Sequence, residues 1–175
     1  MQVVTRYYVC MRRRITIFAL LVMILLAVSA WWYSPTQVLK RRCNRFFDAI
    51  SFTEKAKPET RRLQVLKLGD FLDRTVALAG KDLPEEISSP AQRDEFQAIF
   101  AIACDACRFV AITERKIEFM GIDGETASVQ ATVRVGIGHP EGGKLFNGTH
   151  RLMLTWHHTT PGWCLSGLAW DKIGP

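Results

Sequence analysis

Two groups of residues in this chain have types and spacings that could do chemistry. Cys104-Asp105-Ala106-Cys107 has the spacing of a dithiol redox motif, and His139, His150, His157 and His158 supply imidazoles. Redox thiols are activated where a helix begins, by the partial positive charge there. Here the helical spacing puts both thiols at the end of a helix and on its apolar side, so they read as core cysteines. His157 and His158 point to opposite faces of a strand and cannot easily share one ion. No carboxylate spacing joins the histidines into a zinc set. His158 continues an apolar strand face and is expected at the mouth of a pocket, with His157 in solvent. Asp48 and Asp105 lie near apolar helix faces but are expected to point outward. No catalytic residue, metal ligand or cofactor site is assigned. The candidate pocket or interface residues are Trp156, His158, Trp163 and Trp170.

The elements that must position these residues are organised around 125–137. Ala127, Val129, Ala131, Val133, Val135 and Ile137 alternate with Thr126, Ser128, Gln130, Thr132 and Arg134, which predicts a strand with one buried face. A sheet with one wet side is usually antiparallel. Before it, Ser34-Pro35-Thr36-Gln37 has the form of a capping box opening a helix to about Phe52, with Leu39, Cys43, Phe46, Phe47 and Ile50 on its apolar side. A second helix is predicted from Glu59 to about Leu72, and a brief strand over Thr75–Leu78. A loop follows over Lys81–Ser88. Ser89-Pro90-Ala91-Gln92 repeats the capping pattern before a third helix with the stripe Phe96, Ile99, Phe100, Ala103 and Cys107. After Arg108 the period becomes two. A strand over 109–119 places Ile117 and Phe119 on one face, and Asp123-Gly124 is a hairpin turn. Further strands follow over 149–158, with Leu152, Leu154 and Trp156 on one face, and over 163–170 after a Thr160-Pro161-Gly162 turn. Asn147-Gly148-Thr149 matches a glycosylation acceptor but reads more simply as a turn.

Ile15–Tyr33 carries no charge. As a helix it spans about 28 Å, close to the hydrocarbon thickness of a bilayer. Trp31, Trp32 and Tyr33 sit at one end as an interfacial belt, and Arg12, Arg13 and Arg14 at the other favour the cytoplasmic side. Residues 1–14 are expected to be a cytoplasmic tail, 15–33 a single transmembrane helix serving as anchor or uncleaved signal, and 34–175 an extracytoplasmic domain, periplasmic or extracellular. Small residues at Val28-Ser29-Ala30 also fit a cleaved secretory signal, which would leave 34–175 secreted. Met11-Arg12-Arg13-Arg14 has the form of a start, so residues 1–10 are expected to be dispensable. In an oxidising compartment Cys43 could reach the third helix, and both bridged and free states of Cys43, Cys104, Cys107 and Cys164 fit.

The chain's net charge of +6 belongs largely to this segment. Its first 33 residues hold four arginines and no acid, leaving 19 of the 23 basic groups against 17 acids on 34–175. Lys40-Arg41-Arg42 with Arg45, and Arg61-Arg62, are too short and scattered for a nucleic-acid footprint.

The order helix, helix, short strand, helix, four strands defines an α+β domain with three helices packed on a curved, mainly antiparallel sheet. At this point the chain resembles the nuclear transport factor 2-like (cystatin-like) superfamily, best over Arg151-Leu-Met-Leu-Thr-Trp-His-His and Gly162-Trp-Cys-Leu-Ser-Gly-Leu-Ala-Trp170. The resemblance covers Pro35–Ile173. It implies a cone of sheet around a long helix with a pocket at its open end. It also implies a family holding isomerases, dehydratases and hydrolases beside many non-catalytic domains, some membrane-anchored. No Asp-His or Tyr-Asp constellation of those enzymes stands in register here. The expected function is therefore a membrane-tethered binding or assembly domain, with a small-molecule isomerase, dehydratase or hydrolase as the alternative. Expected partners are the bilayer, a second copy through the sheet, and a protein or small apolar ligand.

Overall fold

The computed structural model describes residues 2–80, 90–160 and 162–173, with side chains from Ile17 onward and without that of Lys144. The loop expected over 81–88, the cap at Ser89 and Pro161 of the last turn lie outside the described residues. The chain divides into two compact units, Met1–Lys40 and Arg41–Pro175.

In the first unit, α1 runs Gln2–Trp32, and every side chain from Ile17 to Tyr33 stands exposed. Among the described residues no single helix is long and apolar enough to cross a membrane. The Ser34 hydroxyl donates to the Trp31 carbonyl at 2.8 Å, so it closes α1 where the sequence suggested a cap for the next helix.

The second unit is α+β. Its helices are the C-terminal part of α2 (Pro35–Ala49), α3 (Pro58–Gly69) and α4 (Arg93–Ala106). The strands are β1 (Leu72–Gly80), β2 (Ala91–Gln92), β3 (Val110–Asp123), β4 (Thr126–Gly138), β5 (Lys144–Thr159) and β6 (Gly162–Ile173). They form one curved mixed sheet in the order β2-β1-β6-β5-β4-β3, antiparallel throughout except where β1 runs parallel to β6. The alternation in β4 is realised: Ala127, Val129, Ala131 and Val133 are buried, and Leu154, Trp156 and Leu152 face Val129, Ala127 and Ala131 across the β4–β5 ladder.

Several expectations change. The first helix ends at Ala49, because Phe52 exchanges backbone bonds of 2.8 and 3.0 Å with Val110 and so joins the sheet margin. The second ends at Gly69, and the following strand is longer than expected. The third helix starts later than Ser89-Pro90 implied. Gln92 is its N-cap, in a reciprocal box with Glu95 whose carboxylate accepts the Gln92 N–H at 2.8 Å. In α4 Cys104 is buried, Ile99 is exposed, and Cys107 is the C-cap, so the apolar stripe is rotated from the one expected. The hairpin turn is Gly124-Glu125, since Asp123 already pairs with Thr126 and the positive φ falls on Gly124.

Phe119 is the sharpest correction. Ile117 pairs with Ala131 but Phe119 pairs with Gln130, so Glu118 is an extra residue and the face reverses. Phe119 is consequently exposed on the outer surface while Ile112 is buried. A second bulge at Glu114-Arg115 takes Glu114 to a φ of 49°.

Candidate functional site

The inner face of the sheet is where a pocket would lie, and aromatic side chains are packed at its Trp156 end. Trp156 from β5 is wholly buried, with Phe46 of α2 against it from the helix side and the buried Phe47 beside Phe46. Phe46 meets Trp156 edge-on at 6.0 Å between ring centres, Phe71 at 6.1 Å and Phe47 at 5.8 Å. Offset and edge contacts of this kind are the favoured arrangements for rings. Apolar spacing on α2 puts Cys43, Phe46 and Phe47 on one side, and the β4–β5 register sets Trp156 opposite Ala127, whose small side chain leaves room for the indole. The Trp156 Nε1 faces the Cys43 sulfur, a soft acceptor, without a well-formed hydrogen bond.

Arginines lie across the margins of this cluster. Arg42 stacks over Phe71 at 4.3 Å, donates from Nε to the Trp163 carbonyl at 3.0 Å and also reaches the Asp70 carbonyl. Arg115 sits 5.7 Å over Phe47 and bonds the Asp48 carboxylate at 2.6 Å. Arg61 stacks 4.7 Å over Phe52. Cation-over-ring contacts and backbone bonds together tie α2, α3 and the sheet margins into one body.

The four residues singled out from sequence do not converge. His158 is exposed and meets the buried Trp163 edge-on at 5.0 Å, its directly opposite partner on β6. Trp156 is core. Trp170 is half-buried, stands roughly 20 Å along β6 from Trp163 at strand spacing, and lies so close over Gly80 that a Cβ there would come within 2.6 Å of the indole. His157 is on the outer face, with Nδ1 3.3 Å from Asp73 and Cys164 opposite it in register.

Sequence reasoning counted His150 among the imidazoles but missed its place on the inner face. It is buried, pairs with Val133 and shares the parity of Leu152 and Trp156, so it stands on the inner face, its ring 5.0 Å from Phe146. Extending the even-numbered pattern of β5 one step back would have found it. A cleft of about 440 Å³ opens at the sheet margin, lined by Phe52, Phe109, Val110 and Ile112 with Glu54 and Thr113. Among the described residues no set of three or more histidine, cysteine or acidic groups is placed to hold a metal.

Cys43, Cys104, Cys107 and Cys164 are free thiols. Burial pushes the Cys43 thiol from 9.0 up to about 12, partly offset by the indole beside it. Burial pushes Cys104 up to about 11, with the Arg61 guanidinium opposing. A raised thiol pKa means that the unfolded chain loses its protons first as pH rises. The stabilisation is therefore whole below about pH 9 and lost as pH climbs through 11 to 12. The expected result is a urea midpoint that falls over this interval, with a shallower fall in Cys43→Ala. Equal slopes in the two proteins would refute the assignment.

No family model matches the sequence, and no curated protein does. Solved structures share the fold. A suspected dehydratase of the NTF2-like family from Streptomyces avermitilis superposes with a TM-score of 0.58 at 14% identity, over 78% of this chain and 94% of that one. A suspected calcium/calmodulin-dependent protein kinase II association domain from Xanthomonas campestris gives 0.54 at 12%, over 78% and 86%. A ketosteroid isomerase-like protein from Erwinia carotovora atroseptica gives 0.51 at 14%, over 65% and 85%. Likeness at these identities speaks for an NTF2-like fold and for nothing finer.

Proposed function

We propose that this chain is a membrane-tethered binding or assembly domain without catalysis, with residues 34–175 held outside the cytoplasm by residues 15–33. The observation that carries the non-catalytic part is the aromatic packing around Trp156 on the inner face. Trp156, Phe46 and Phe47 occupy the volume in which a small-molecule enzyme on this scaffold needs an enclosed, wettable cavity. The tether rests on the uncharged run at 15–33, its flanking arginines and aromatic belt, and the uniform exposure of apolar side chains from Ile17 to Trp32.

The alternative is an isomerase, dehydratase or hydrolase acting on a small apolar substrate. One specific observation favours it: His150 presents a titratable ring on the inner face, where a general acid or base would stand. The names of two structural neighbours, a suspected dehydratase and an isomerase-like protein, point the same way.

Fractionation of cells making the full chain with a C-terminal tag tests the tether. The expected result is a membrane pellet that withstands alkaline carbonate washing, with the tag cut by protease added from outside intact cells. Recovery in the soluble cytoplasmic fraction would overturn it. Catalysis is tested by His150→Gln: loss of turnover of any small apolar substrate found for the wild type would favour the enzyme.

A further inference from the structure

We propose that Cys104 and Cys107 are a redox site: the half-buried Cys107 takes up a small disulfide first, and Cys104 resolves it into a bridge that closes the C-terminal end of α4. The sequence put both thiols on one apolar helix side, but the structure separates them. Cys104 is 2% exposed, whereas Cys107 is the C-cap and only half-buried. One thiol is open to a small reagent and the other is reached only through its neighbour. That asymmetry is what an attacking and a resolving cysteine require.

The spacing allows the bridge. The Cys107 N–H still donates to the Ala103 carbonyl at 3.0 Å, so its Cα keeps helical register with Cys104. Helix rise and radius put Cα atoms three residues apart at about 5 Å, inside the disulfide window of roughly 4.4–6.8 Å. The Cβ atoms start about 5–6 Å apart and must approach to roughly 4 Å. Cys107 supplies that movement, because its φ of −114° and ψ of 143° have already left the helix and no further turn follows it. The sulfurs are also within electrostatic reach. Burial is the main cause of the raised Cys104 pKa, and a charge on Cys107 adds to it. Cys43 lies beside the Trp156 indole and Cys164 against the Thr159 hydroxyl at 3.4 Å, so each of these has a different neighbour.

The oxidant is a low-molecular-weight disulfide, RSSR. Cys107 gives up its proton and its sulfur bonds one sulfur of RSSR, breaking the S–S bond and releasing RS⁻. Cys104 then gives up its proton and its sulfur bonds the Cys107 Sγ, releasing the second RS⁻. The cysteines lose an electron pair to RSSR, and their protons leave on the two RSH molecules. The helix C-terminus carries partial negative charge and Asp105 a full one, with the Arg61 guanidinium opposing both. Thiolates are therefore scarce here, unlike at the helix N-terminus of a fast dithiol enzyme, so the pair is oxidised once and is not a turnover centre. Resolution is the slow step. Raising Cys104 from 9.0 to about 11 cuts its thiolate roughly a hundredfold, and the stronger nucleophile returns about tenfold. The bridge lies where the Arg61 fork holds both cysteine carbonyls, so it locks the turn that joins α4 to β3. An oxidising compartment for residues 34–175 rests on the tether reading and keeps the pair closed; the chemistry of the site does not rest on it.

The full chain in detergent micelles, treated with oxidised glutathione at neutral pH and then alkylated, reads the result in one tryptic peptide. Residues 94–108 hold both cysteines between Arg93 and Arg108. In the wild type this peptide should come out unalkylated and lighter than its reduced form by one pair of hydrogens. Cys104→Ala, in which nothing resolves, should accumulate glutathione on Cys107. Cys107→Ala should react at Cys104 about tenfold more slowly or less, and unfolding in urea should erase that difference. The wild-type peptide alone decides the bridge if Cys104→Ala does not fold. A wild-type peptide alkylated at both cysteines, a bridge from either one to Cys43, or faster uptake at Cys104 than at Cys107 would each overturn the site. The same mapping on protein taken directly from cells separates the two readings. A pair that closes with glutathione but is alkylated when taken from cells would overturn the oxidising placement and not the site.

Discussion

Trp156→Ala is expected to destabilise the fold by about 3–5 kcal/mol, the range for removing a large aromatic from a core that cannot collapse around the gap. The indole has no exposed surface, and Phe46, which touches it edge-on, is itself held by Phe71 and Phe47. Relaxation is therefore limited, because moving one ring displaces the next. The void left behind is apolar and dry, and such cavities take up small aromatic probes. The variant should bind benzene-sized molecules and gain thermal stability from them, while the wild type should show no such shift at the same concentration. Trp156→Phe, which keeps a ring in place, should recover more than half of the loss. Equal ligand-induced shifts in wild type and Trp156→Ala would mean that the inner face is open already. The non-catalytic reading would then lose its main support.

Arg61→Ala is expected to cost about 2–4 kcal/mol, from charge-assisted bonds to carbonyls that are otherwise left without donors. Nη1 donates to Cys104 O at 2.7 Å and Cys107 O at 2.9 Å, and Nη2 donates to Arg108 O at 2.9 Å. One planar fork thus caps the C-terminus of α4, where the helix dipole also favours a cation, and leans on Phe52. Lysine cannot reproduce a three-point fork, so Arg61→Lys should regain less than half of the loss. Hydrogen exchange separates this role from a general loosening. Protection should fall first at the Phe52 and Val110 amides, which bond to each other beside the fork, while the β4–β5 ladder keeps its protection. Uniform loss over the whole sheet would refute the local role.

These two residues also mark how far the sequence could be read. The alternation over 127–133 and the Leu152–Trp156 face are periodic signals, and they fixed the inner face of the sheet and Trp156 with it. Phe119 went astray because a single inserted residue at Glu118 inverts parity, and nothing local in Lys-Ile-Glu-Phe announces a bulge. The α4 start was misplaced because Ser89-Pro90 and Gln92 both offer cap chemistry. The Gln92–Glu95 bond, settled by where the chain leaves β2, decided between them. Arg61 gave no signal at all, since its carbonyl partners lie more than forty residues away. His150 was legible but unread, one step beyond the end of the pattern that was followed. The arrangement of the site depends on pairings between distant segments, and periodicity carries no information about those.

The paired bulges of β3 have a consequence for how this chain behaves when crowded. β3 is the last strand on its side of the sheet, and its outward rim would otherwise be a long template for further extended chains. Two interruptions within five residues, together with the charges of Glu114, Arg115, Lys116 and Glu118, give an incoming strand no continuous register to follow. On the opposite rim the two-residue β2 covers Thr75 and Val76 of β1. The β3 rim is therefore a poor seed for a growing fibre, so on that side dense packing of many copies remains compatible with each keeping its own fold.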